Sequence, residues 1–440
     1  MSTPSLWTKL DFSVSTKSKQ AMGFLRRTGN KLLDVDQTLE YKDGGDGFEP
    51  FISATLRNIH RLQSLRITSH IFQLEAALMQ FTRPAPELRY LRITNERNTT
   101  EMDPKLHSTI FNGQLPKLTG LALHSLDTNL RGFNFPSLTQ FDLSSAVTIP
   151  LKDLTSFFER CPLLESVQLR LAYPISQNPT DPPRKRVRLA ALKELRLDAA
   201  ACVSGILDHL ALPRCTELFL KGVFTGETHD QHGDPAARIH PSSIDYLAVT
   251  RGITKAIAMP NSCVFSGPNG NIRFWCFQGN RTEFNAEFFT SFSPLPVLEI
   301  RELWVTGDKH SPWKQTNSGV LSAFKVLTKV EDLTTVSCKT EAFFATLGST
   351  IGGDVLLPGL RRLTIYGGWA DLDIEALIQC AKARKGCSRP LEEVTVISEQ
   401  DWGGHPIQEM ESLREFVGEL VCRIGGTPYY LTWANHRYFS

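Results

Sequence analysis

The sequence predicts an α/β repeat fold: a curved parallel sheet on the concave face of an array, with helices and loops on the convex face. Three observations predict it. A seven-residue pattern, apolar at its first, fourth and sixth places, recurs along the 440 residues. Its copies start 20 to 31 residues apart. Several connectors carry apolar residues three and four apart, as a helix with one buried face does.

The copies are LQSLRIT (62–68), LRYLRIT (88–94), LTGLALH (118–124), LTQFDLS (138–144), LESVQLR (164–170), LKELRLD (192–198) and CTELFLK (215–221). They continue as IDYLAVT (244–250), IRFWCFQ (272–278), IRELWVT (300–306), VEDLTTV (330–336), LRRLTIY (360–366) and LEEVTVI (391–397). Of the 39 key places only Thr335 is not apolar. At 41% apolar composition, chance supplies about 16. This period and the pattern L-x-x-L-x-L match leucine-rich repeats, and so predict a leucine-rich-repeat solenoid. The fourth and sixth places alternate with polar ones, as in a short strand with one buried face. The connectors LKDLTSFFERC (151–161), VLSAFKVL (320–327) and LDIEALIQCAKA (372–383) read as helices. A strand plus one helix cannot bury its own apolar edge, so neighbouring copies must stack into a shared core. Many leucine-rich repeats carry Asn or Cys three places after the last strand Leu. Only Asn280 and Cys338 stand there, so the turns must be closed in another way.

The predicted organisation is an N-terminal cap over 1–61, an array of about 13 repeats over 62–425, and a C-terminal cap over 426–440. Within the first, KLLDVDQTLEY (31–41) reads as a degenerate strand. PISQNPTDPPRKRVR (174–188) reads as an inserted loop, whose basic end suits either solvent or a phosphate. HDQHGDPAARIHP (229–241) groups His229, His232 and His240 with Asp230 and Asp234. Imidazole with carboxylate can bind a transition metal, but the Gly and Pro there favour a surface loop, so no metal is assigned.

A net charge of +2 does not point to duplex nucleic acid as a partner. The nine cysteines are scattered and form no C-x-x-C, which reads as reduced thiols in the cytoplasm or nucleus. Met1 to Phe12 carries no charged segment leading into an apolar run, and no apolar stretch approaches membrane-spanning length. Phosphate-loop, nucleophile-elbow, zinc-protease and dinucleotide fingerprints are absent from the sequence, so neither an enzyme nor a cofactor is predicted.

FFERCPLLESVQLRL (157–171), LAALKELRLDAA (189–200) and ILDHLALPRCTELFLKG (206–222) resemble the F-box/leucine-rich-repeat proteins of mushroom-forming fungi. PSLWTKLDFS (4–13) is similar to the place where their F-box ends, and LRRTGNKLLDV (25–35) to the segment that follows. The resemblance implies substrate recognition in ubiquitin-dependent degradation. In that family an F-box precedes the Leu-Trp pair, and here most of it is missing; Leu6 and Trp7 are the only candidates for a remnant, and they read rather as residues buried against the first repeats. Docking on the adaptor subunit of a cullin–RING ligase is implied only with that F-box upstream.

The partner face follows from strand alternation. The third and fifth places of each copy point away from the buried leucines. They present Arg66, Tyr90 and Arg92, then Glu194 and Arg196. Four large aromatics follow in successive copies, Phe219, Tyr246, Phe274 and Trp304, flanked by Glu217, Glu302 and Asp332. Grouped exposed aromatics often mark a protein-binding site, so these four are the predicted contacts for a protein substrate. An RNA-binding array using Arg66, Arg92 and the basic loop is the alternative from another class.

Overall fold

A computed structural model describes residues 8–12, 15–39, 48–69, 74–96, 104–106, 110–145, 149–171, 186–198, 203–221, 246–259, 262–275, 299–306, 324–336, 340–351, 354–367, 372–398 and 410–425. The chain is α/β, with mostly parallel strands and few helices. It divides into two compact units, one of the described residues 8–221 with 246–248, the other of 249–425.

The first unit runs β1 (Lys9–Asp11), α1 (Ser15–Leu25), β2 (Leu33–Leu39), α2 (Phe48–Arg57), β3 (Leu62–Ser69), α3 (Leu74–Leu78), β4 (Tyr90–Asn95), β5 (Lys105–Leu106) and β6 (Gly120–His124). It continues with β7 (Asp127–Thr128), β8 (Gln140–Ser145), α4 (Leu151–Arg160), β9 (Ser166–Leu171), β10 (Val187–Arg188), β11 (Glu194–Asp198), α5 (Val203–Asp208), β12 (Leu210–Ala211) and β13 (Glu217–Lys221). The longer strands form one parallel ladder in chain order, from β1 through β2, β3, β4, β6, β8, β9 and β11 to β13. Short pairs, β5 with β7 and β10 with β12, lie outside it.

Register holds the predicted places together: Leu65, Leu91, Leu121, Phe141 and Val167 are successive partners across the ladder. Every key place from Leu62 to Leu220 is buried. The ladder also starts earlier than the predicted array. The degenerate copy at 31–41 contains β2, and the stretch 4–13 contains β1, so part of 1–61 belongs to the sheet. Gln37 occupies an apolar place of β2 and is nonetheless 2% exposed.

The second unit holds β14 (Lys255–Met259), β15 (Ser262–Gly267), β16 (Gly270–Trp275), β17 (Glu302–Thr306), β18 (Asp332–Val336), α6 (Thr340–Leu347), β19 (Thr350–Ile351), β20 (Asp354–Val355), β21 (Arg362–Gly367), α7 (Ile374–Gly386), β22 (Leu391–Ser398) and β23 (Val417–Ile424). Here β14, β17, β18, β21, β22 and β23 pair parallel in that order. β14 also opens an antiparallel meander with β15 and β16.

Two predicted copies are corrected. Of the copy at 244–250, the described residues 246–250 form no ladder strand: Leu247 makes an isolated bridge to Leu212, and Ala248–Thr250 is a 3₁₀ turn. In 272–278, β16 pairs antiparallel with β15 and buries Ile272 and Phe274, leaving Trp275 half-buried. With a period of two, a one-residue shift exchanges the faces. The copy that does join the parallel ladder is ITKAIAM (253–259), whose first, fourth and sixth places are Ile253, Ala256 and Ala258, all at most 1% exposed.

The turns are closed by two devices. The first is a tight turn entering the strand. The N–H of the first-place residue donates to the carbonyl three residues back, at Leu88 to Ala85, Leu118 to Leu115, Leu138 to Phe135, Leu164 to Cys161 and Leu360 to Leu357. In these five, Pro stands second, as in APEL (85–88) and LPGL (357–360), where its fixed φ suits a turn. The second device is an arginine at the end of a connector. Arg384, fully buried on α7, donates to the carbonyls of Leu356 (2.8 Å), Leu357 (3.0 Å) and Leu360 (3.3 Å). Arg160, ending α4, donates to Phe133 (2.8 Å) and Leu130 (2.7 Å). Arg61, before β3, reaches Thr28 Oγ1, Gly29 and Lys31. Arg61 and Arg384 reach back to the turn that entered the preceding strand, and Arg160 to the 3₁₀ turn at Leu130–Gly132 and to Phe133, just ahead of it.

At the strand-entry edge, ion pairs join successive copies: Glu87 with Lys117 (2.7 Å), Glu165 with Lys193 (2.8 Å), Glu299 with Lys329 (2.6 Å) and Glu392 with Arg361 (3.5 Å). Lys329 holds the Glu299 carboxyl below its usual range. These pairs are exposed and screened by solvent, so each contributes little.

The ends of α4 and α7 are set by sequence. α4 buries Leu151, Leu154, Phe157 and Phe158 on one face. Asp373 caps α7, its Oδ1 accepting from Ala376 N at 2.8 Å. Phenylalanines fill the space under the strands, as in the contacts of Phe141 with Phe157 (4.6 Å) and Phe324 with Phe343 (5.6 Å).

Arg384→Met should lower stability by about 2–4 kcal/mol, since each buried carbonyl left without a donor costs about 1–3 kcal/mol. Arg361→Ala, which removes only an exposed pair, should cost under about 1 kcal/mol. Urea unfolding followed by circular dichroism separates them. Equal effects would remove the arginine from the list of turn-closing devices. Leu195→Ala and Leu303→Ala should each cost about 2–5 kcal/mol.

Candidate functional site

Alternation leaves the third, fifth and seventh places of each ladder strand on the face away from the core. In the first unit the fifth places run Asp36, Arg66, Arg92, Ala122, Asp142, Gln168, Arg196 and Phe219 in register. The seventh places include Thr68, Thr94, His124, Ser144 and Arg170.

These side chains interlock. The Arg66 guanidinium lies 5.4 Å from the Tyr90 ring centroid and 3.9 Å from Asp36. The Tyr90 ring in turn covers Gly120: a Cβ there would stand 2.6 Å from Tyr90 Cδ2, so only glycine fits. His124 is 8% exposed, with Nε2 at 2.9 Å from Asp142 Oδ2 and Nδ1 at 3.5 Å from Thr94 Oγ1. Arg170 reaches the same Asp142 oxygen at 3.4 Å. Arg92 is exposed, and its Nε sits 3.4 Å from Thr94 Oγ1. Further along, Arg196 pairs with Glu194, and Lys221 with Asp198 at 2.6 Å.

The second unit presents a different outward face. Ile257, Trp304, Thr334, Thr364 and Thr395 are in register. Trp304 stacks with Tyr366, centroids 6.4 Å apart and planes 22° from parallel, and its Nε1 donates to Glu302 Oε1 at 2.8 Å. Beside this pair run Lys255 with Glu302 (2.5 Å) and Arg362 with Asp332, whose Nη2 to Oδ2 distance is 2.7 Å.

Of the four predicted aromatics, Phe219 and Trp304 are half-buried on outward faces. Tyr246 is 46% exposed but stands outside the strands, beneath the Arg186 guanidinium at 3.8 Å. Phe274 is not at a surface: it is fully buried, edge-on to Phe265 at 5.8 Å, because β16 is the antiparallel strand. The predicted row of four is therefore replaced, in each unit by itself, by the arrangements above. Sequence reasoning missed His124, Asp142, Arg170 and Tyr366. Three of them stand at seventh places of copies already found, so extending the alternation by one step reveals them.

The basic loop is described only at its end, where Val187 and Arg188 form β10. Residues 229–241 lie outside the described residues. Among the described residues, no group of three or more His, Cys, Asp or Glu could hold a metal, and no helix is long and apolar enough to cross a membrane. Burial pushes the thiols of Cys161 up to about 11 and those of Cys215 and Cys380 to about 12, so all three stay protonated at neutral pH. No protein-family model matches the chain, and no curated protein matches it.

Phe274→Ala should cost about 3–5 kcal/mol, as a buried aromatic removed. Trp304→Ala should cost clearly less in the same unfolding experiment; the reverse order would place Trp304 in the core. Maleimide at pH 8 should leave Cys161, Cys215 and Cys380 unmodified in folded protein while modifying exposed Cys422, as peptide mass mapping would report.

Proposed function

We propose that the chain is a leucine-rich-repeat solenoid serving as a protein-binding module, the substrate-recognition arm of an F-box-type ubiquitin ligase. The carrying observation is the in-register outward face. Each parallel strand adds side chains about 4.8 Å from the last, a spacing suited to an extended partner laid across the strands. Exposed Arg92 and half-buried Trp304 on these faces have the chemistry enriched at binding hot spots. The ubiquitin link is supported by the likeness of residues 157–171, 189–200 and 206–222 to fungal F-box proteins. Engagement of the ligase's adaptor subunit requires an F-box preceding residue 1 in the full-length gene product.

Tagged full-length protein, purified from its native cells and examined by mass spectrometry, should carry the adaptor and cullin subunits together with a substrate. An Arg92→Ala, Trp304→Ala double variant should lower substrate recovery by more than about tenfold with adaptor recovery unchanged, since each hot spot lost costs about 2 kcal/mol or more. Substrate without ligase subunits would leave a scaffold with no ubiquitin link. Recovery of no protein at all would end the reading.

A further inference from the structure

We infer that the open edge of β23 pairs antiparallel with β23 of a second copy of this chain, with Val421 on the two-fold axis. The inference is independent of the protein-binding reading above.

The first support is an unfinished sheet. β23 is eight residues long, contains no proline, and pairs with β22 and with no other strand among the described residues. Its inward places are unfinished too. Val394 and Val396 on β22 are 0% and 4% exposed, whereas their partners on β23 are half-buried Leu420 and exposed Cys422. Ile424 is 59% exposed. An edge with free backbone groups and apolar side chains is a template for another strand.

The backbone fixes which groups are free. Gly425 N donates to Ser398 O at 2.9 Å, so Gly425 addresses β22, and by alternation so do Val421 and Arg423. The N–H and C=O groups of Leu420, Cys422 and Ile424 then point to the open edge. An antiparallel partner must match them, because the two residues of a hydrogen-bonded pair exchange both bonds. Pairing Leu420 with Cys422 of the second copy does so once on each side of Val421.

The second support is charge, and it selects the register. Glu419 and Arg423 are exposed on the outward face, with no ion-pair partner among the described residues. Glu419 stands instead beside Glu393, a like charge in register. With Val421 on the axis, Glu419 falls opposite Arg423 of the second copy, and Arg423 opposite its Glu419. Registers centred on Leu420 or Cys422 oppose Glu419 to Val421 or Gly425 and leave the charges unmatched. One strand is thus complementary to itself, as a two-fold interface requires. Gly418 completes the fit. A Cβ there would stand 2.6 Å from Glu392 O, and the missing side chain leaves room for Ile424 of the second copy.

Sedimentation equilibrium of the full chain over about a hundredfold range of concentration should show monomer in equilibrium with dimer. Maleimide modification of Cys422 should slow as the concentration rises. Glu419→Arg and Arg423→Glu each set like charges opposite one another, and each should weaken the dimer by more than about tenfold, while the two together restore it. Circular dichroism of all three variants should match the parent. In a Cys422→Ser background, Val421→Cys should form a disulfide joining position 421 of one copy to position 421 of the other, since a non-hydrogen-bonded antiparallel pair holds its Cα atoms about 4.5 Å apart. A monomer at every concentration would overturn the inference, and slow amide exchange at Leu420 and Cys422 in that monomer would give the edge to residues 426–440 instead. A dimer indifferent to both charge reversals would equally overturn it, as would an oxidised variant joined through any position but 421.

Discussion

Nothing in a single copy of this chain satisfies itself. A strand of the kind LRYLRIT has an apolar face that needs a roof, two backbone edges that need partners, and an entry turn whose carbonyls point inward. Parallel pairing supplies the edges, and packed leucines and phenylalanines supply the roof. The entry turns are the demanding part, because buried carbonyls without donors are costly and a parallel ladder leaves them behind at every step. The proline turn consumes one carbonyl locally. Where the connector is long enough to carry an arginine back, as at Arg61, Arg160 and Arg384, the guanidinium takes two or three more. A charged side chain is suited to this because its planar fork carries several donors at fixed angles. Burial of Arg384 lowers its pKa through desolvation, so the carbonyls must offset a real penalty.

That division of labour explains why the outward face is free to carry recognition. Core places, turn prolines and closing arginines use one side of the strands and the connectors. The third, fifth and seventh places contribute little to the roof, so their chemistry varies: charged and interlocked in the first unit, aromatic and threonine-rich in the second. Gly120 shows where the two demands meet. The ladder would accept any residue there, and only the leaning Tyr90 ring excludes a side chain.

Most of the ladder was legible because its rule is local. A strand buried on one face must alternate, and eleven of the copies found by pattern alone lie in the parallel ladders. The failures have physical causes. IRFWCFQ satisfies the pattern in the wrong phase, because aromatic-rich antiparallel strands also alternate and sequence does not say which neighbour a strand pairs with. ITKAIAM carries a weak signal because alanine is only weakly apolar, though 0% and 1% exposure makes Ala256 and Ala258 as much core as leucine. Ala256 stands directly opposite bulky Phe265 across β14 and β15, and its small side chain leaves room for that ring. The candidate site was half legible. Arg66, Tyr90 and Arg92 follow from alternation, whereas the engagement of Asp142 by His124 and Arg170 depends on register across three strands.

Register is also what separates a recognition surface from a merely polar one. Exposed ion pairs between neighbouring strands neutralise one another and leave little to offer a partner. Asp198–Lys221 does so between β11 and β13, and Glu194–Arg196 does so within β11. A partner can gain only where such pairing is incomplete. In the first unit Arg92 on β4 lies beside β6, which contributes glycine and alanine, whereas β8 contributes Asp142 and β11 Glu194. The absence of a side chain on one strand therefore determines the availability of a cation on the next.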